Sequence, residues 1–135
     1  MFAKKNVLIV GLTLFSLTFS TSLVQAADST KVLAEKAAVA GCKQFTLSMS
    51  INDAFLNLSK TAQTKAKMSE AIASETKAMG SALASFKLAA KQDKQWKSIA
   101  DKLDTVIHTD KADAYTKSFA DVLAACTSLA KTIKK

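Results

Sequence analysis

The chain of 135 residues has no proline and no arginine, one histidine, one tryptophan and three glycines. Proline and glycine punctuate sheets and tight turns, so their scarcity argues against a β-rich fold and for helices joined by short connections. Arginine's planar fork is the usual tool for bidentate recognition of phosphate and guanine. A basic chain without it is poorly equipped for sequence-specific nucleic-acid binding, and no such partner is expected. A lone histidine leaves acid–base relays and catalytic triads little to work with. HExxH, CxxCH, a glycine-rich phosphate loop and GxSxG are all missing. The expectation is a protein that is not an enzyme and carries no resident cofactor.

What is present begins with a leader. Lys4 and Lys5 precede an apolar run from Val7 to Phe19, and Val24-Gln25-Ala26 offers a small-residue cleavage site. That is the layout of a cleaved Sec-type signal peptide over residues 1–26, of a kind suited to a bacterial host, which predicts a periplasmic or secreted destination. An uncleaved membrane anchor is the rival reading, since the run is nearly long enough to span. Hydroxyl residues at positions 16, 18, 20, 21 and 22 weaken it. Residues 27–135 then form a single domain with enough chain for one core.

Cys42 and Cys126 are the only cysteines. In an oxidising compartment they predict one intramolecular disulfide. The fold class that follows is all-α, an antiparallel bundle of about four helices stapled by Cys42–Cys126.

The stretch from Ala38 to Leu58 organises this bundle. Wound at 3.6 residues per turn, it places Leu47, Ile51, Phe55 and Leu58 on one side and Ala38, Cys42, Phe45, Met49 and Leu56 on roughly the other. A helix apolar on two sides sits between neighbours. Its start is capped by Asp28, Ser29 or Thr30 and its end falls near Leu58 or Ser59. Gly41 lies where the apolar side shifts, so a continuous rod is favoured over a kink or break there.

Thr61 is the expected cap of a second helix to about Lys91, with Ile72, Thr76, Met79, Leu83, Phe86 and Ala90 facing inward. Asp93 caps a third, shorter helix with Trp96, Ile99, Ala100, Leu103 and Ile107 inward. Thr109 or Asp110 starts the last, whose stripe is Ala112, Tyr115, Phe119, Val122, Cys126, Leu129 and Ile133. If the cysteines are level, the second helix is too long for the third to return to the same height. It must bend at Gly80 or overhang.

Three clusters carry candidate function. Lys87, Lys91, Lys94 and Lys97 surround the turn between the second and third helices, opposed only by Asp93, and form a candidate patch for an anionic surface. Phe45, Met49 and Leu56 form a candidate partner face if the fold leaves that side uncovered, and a homodimer would use the same face. Asp101, Asp104 and His108 share one helix face and are candidate metal ligands. The favoured reading for His108 is instead a helix-terminal pair with Asp104. Met49, Met68 and Met79 with His108 could ligate haem, but methionine at helical spacing is more often core filler.

The leading functional expectation is an exported, non-enzymatic binding protein acting on another exported or envelope protein, of the inhibitor, immunity or accessory kind. A cationic protein of the envelope or membrane surface is the alternative. A haem- or metal-carrying bundle is the third.

Overall fold

The structure, a computed structural model, describes residues 29–133; the expected signal peptide lies outside the described residues, as do Lys134 and Lys135. Four α-helices follow one another: α1 (Ser29–Leu56), α2 (Lys65–Gln92), α3 (Lys97–His108) and α4 (Ala112–Ile133). A 3-10 turn, Lys94–Trp96, leads into α3, and no strand occurs among the described residues.

Each boundary has a local cause. The Gln63 amide donates to the carbonyls of Leu56 and Leu58 at 3.3 and 2.9 Å, closing the open end of α1. Thr64, not Thr61, caps α2: its hydroxyl accepts from the Lys67 N–H at 3.2 Å. Thr61 instead sits in the turn with its hydroxyl 3.2 Å from that of Ser59. Asp93, expected to cap the third helix, caps the 3-10 turn instead by accepting from the Gln95 N–H at 3.1 Å, and α3 itself starts after Trp96 with no side-chain cap. Thr109 turns the chain toward α4 by accepting from the Lys111 N–H at 3.1 Å.

The core lies where all four helices meet. Its largest fully buried side chains are Phe45, Phe86, Leu103, Val122 and Cys42. Cys42 and Cys126 form the expected disulfide, with Cα atoms 5.5 Å apart. Phe45 packs on Phe119 with ring centroids 5.0 Å apart, and Phe119 on Tyr115 at 5.8 Å. Ser48, buried beside them, donates its hydroxyl to the Phe45 carbonyl at 2.7 Å, so no polar group is stranded there.

Gly41 does not break α1, which runs through it as one helix. A Cβ there would lie 2.8 Å from the Phe86 ring, so the position is a seat for that ring. Gly80, equally inside a helix, would place a Cβ in open space. The two glycines therefore respond oppositely to alanine. Gly41→Ala should cost about 1–2 kcal/mol, since the clash with a fully buried ring outweighs the gain in helix propensity. Gly80→Ala should gain roughly 0.5–1 kcal/mol. Urea unfolding of the two variants checks both signs.

Since α2 runs unbroken through Gly80, the length mismatch is resolved by an overhang. At about 1.5 Å per residue, α2 is roughly 42 Å long and α3 roughly 18 Å. Residues 64–77 are exposed apart from half-buried Ala71 and Glu75. Ile72 and Thr76, expected in the core, are therefore on the surface. The buried face of α2 consists of Ala78, Met79, Ala82, Leu83, Phe86 and Ala89, with three alanines allowing close approach to α1.

Candidate functional site

The two ends of the bundle differ in chemistry. One is the corner where α2 turns through Lys94–Trp96 into α3. Lys87, Lys91, Lys94 and Lys97 are all exposed there. Asp93 is occupied by capping, with its second carboxylate oxygen accepting from the Gln95 amide at 2.7 Å. Lys97 reaches Asp101 at 2.8 Å, an exposed pair of little energetic weight. Trp96 anchors the corner from beneath, its ring 6.4 Å from Phe86.

The start of α1 arrives at this corner. A shallow depression is lined by Thr30, Lys31, Gln92, Asp93 and Gln95, and a second by Lys97, Ser98, Asp101, Lys102 and Thr105. Thr30 and Lys31 are remote in sequence, with nothing in the pattern to mark them for this corner, and join it only through antiparallel packing of α1 on α2. Lys131, in the last turn of α4, lies at the same end, since Cys126 is level with Cys42.

Charge is segregated accordingly. Residues 29–49, 81–103 and 119–133, which make up the corner end, carry nine lysines against four acids. Residues 50–80 and 104–118, at the far end, carry six lysines against six acids. Two leucines, Leu33 and Leu88, stand about half exposed among the lysines of the corner end.

The far end is the α1–α2 overhang. The candidate partner face divides here. Phe45 is fully buried and belongs to the core, so it leaves that face: Phe119 covers it on α4. Met49 packs at the core's edge, and Leu56 alone stands in solvent. Met68, Ile72 and Tyr115 are exposed at the same end. Burial raises the Glu75 carboxyl above its ordinary value. The Tyr115 hydroxyl is raised by burial and by the nearby Glu75 charge.

Compared with known families, curated proteins and solved structures, the chain matches none.

His108 Nδ1 lies 3.0 Å from the Asp104 carbonyl oxygen and 3.1 Å from its Oδ1, an exposed pair in the last turn of α3. Asp101 points to Lys97 instead. No group of three histidine, cysteine, aspartate or glutamate side chains among the described residues is arranged to hold a metal ion. Of the methionines considered for haem, Met79 is core and Met68 is surface. Across α3 and α4, Lys102 meets Asp121 at 2.8 Å, and that hydrogen bond holds the Asp121 carboxyl below its usual range. No described helix is long and apolar enough to cross a membrane.

Proposed function

We propose that the protein is an exported, non-enzymatic binding module that engages an anionic envelope surface through its basic end. The observation that carries this reading is the segregation of charge: the excess of lysine falls at one end, around Lys87, Lys91, Lys94 and Lys97, with Lys31 and Lys131 beside them. Lysine is a flexible point charge without the fixed fork that reads a defined phosphate geometry. An array of such charges suits a surface whose negative charge is spread out, as lipid headgroups are. Half-exposed Leu33 and Leu88 supply apolar contacts at the same end. This moves the emphasis away from a protein partner, because burial of Phe45 removes the aromatic anchor of the face proposed for one.

Co-sedimentation with vesicles tests it. The oxidised protein should bind vesicles containing phosphatidylglycerol and not phosphatidylcholine alone, and should release as salt shortens the screening length. Reversing four charges in K87E/K91E/K94E/K97E should weaken binding roughly a hundredfold or more. All four side chains are exposed, so circular dichroism should show an unchanged fold. Equal binding to neutral vesicles, or a variant that binds like the parent, would sink the reading.

A further inference from the structure

We infer that the overhanging end of α2 is a self-association site, where a second copy of this chain docks antiparallel about a two-fold axis passing near residue 70. This goes beyond the surface-binding reading and uses none of its residues.

The first observation is that the core-facing stripe of α2 does not stop where the core does. Met68 lies 18 residues before Phe86, which is five full turns, so the two point the same way. Ile72 falls on that stripe between Met68 and the buried Met79. On α1, Leu56 lies three turns beyond Phe45 on the same side. Within the bundle this face is covered by α3 and α4; along the overhang Met68, Ile72 and Leu56 are about half exposed or more. A two-helix layer with its apolar face open lacks another two-helix layer, and a second copy supplies one of matching length.

The second observation is a symmetry in the sequence. A two-fold interface is isologous, so if residue i touches residue j, then j touches i. About residue 70 the pattern Lys65-x-x-Met68-x-x-x-Ile72-x-x-Glu75 maps onto itself with matched chemistry. Met68 meets Ile72 of the second copy and Lys65 meets its Glu75, each twice. All four residues lie on the stripe just described or at its border. Glu75 is half-buried on this face, and an incoming lysine gives its carboxylate an opposite charge.

The third observation is electrostatic. The overhang end carries equal numbers of lysines and acids, so two copies meet there without net repulsion, whereas two basic ends repel. The layer from Lys65 to Lys77 is about 20 Å long and about two helices wide. That is the low end for a specific dimer, so dissociation in the micromolar range is expected.

Sedimentation velocity on the oxidised protein between about 1 and 500 μM measures the association. The parent should dimerise, and Ile72→Asp should stay monomeric throughout. Lys65→Glu and Glu75→Lys should each weaken the dimer roughly tenfold or more, because each sets like charges against each other twice. K65E/E75K should restore it, since the swapped pair is again complementary. The altered side chains are on the surface or half-buried, and circular dichroism controls for folding. A parent that remains monomeric at the highest concentration would overturn the site. So would a dimer indifferent to Ile72→Asp, or a double variant no tighter than the single ones.

Discussion

Replacing Cys42 and Cys126 together by alanine should lower stability by about 4–5 kcal/mol and the thermal midpoint by roughly 20 °C. The bridge closes a loop with a sequence separation of 84. On the chain-entropy account, a loop of that size removes about 4–5 kcal/mol of freedom from the unfolded chain. A domain of this length has only about 5–15 kcal/mol in total, so a large share rests on one bond. The architecture makes the loss hard to absorb. Whereas α1 packs on α2 along its length, its meeting with α4 centres on the bridge and the Phe45–Phe119 rings. Alanine is the right replacement because both sulfurs are buried and a serine hydroxyl would add an unsatisfied group. Thermal unfolding followed by circular dichroism, with and without reductant, measures the effect. A loss below about 1 kcal/mol would show that α4 holds without its staple.

Truncating Phe45 should be nearly as severe. At 0% exposure, with its ring on Phe119, it is a central core side chain, and Phe45→Ala should cost about 3–5 kcal/mol. Leu56, assigned to the same face by helical phase, is 60% exposed, and Leu56→Ala should change stability by no more than about 0.5 kcal/mol. The contrast is diagnostic. Similar urea midpoints for the two variants would mean that α4 does not cover Phe45. A dimer would reveal Leu56 only in its association constant.

This pair of residues also shows what the sequence could and could not convey. Periodicity identifies which way a side chain points; it does not say whether anything stands in front of it. Phe45 and Leu56 share a stripe, as do Phe86 and Ile72, and in each case the member near the disulfide is buried while the one on the overhang is exposed. Helix lengths decide this, and the mismatch between the second and third helices was visible in the spacing. The choice between bend and overhang was not. Gly41 shows a related limit: the continuous α1 favoured there is what the structure has, but only the position of the Phe86 ring shows why a glycine stands in it. Thr61 and Thr64 are equivalent by propensity, and the turn at residues 59–63 selects between them. The last helix was legible in its second half: Val122, Cys126 and Leu129 are buried and Phe119 and Ile133 half-buried as the pattern predicts, whereas Ala112 and Tyr115 at its start are exposed toward the overhang. Of the surfaces, the lysine corner was visible because its members are close in sequence. Lys31 and Thr30 were not, because they come from the opposite end of the domain.

The staple also determines how the molecule bears mechanical load. Tension between Ser29 and Ile133 passes through the sulfur bridge, so only residues 29–41 and 127–133 can be drawn out. The enclosed span between the cysteines carries no force. Pulled by its two ends, the molecule would lengthen by those two segments and then hold, with α2, α3 and the overhang still folded behind the bridge.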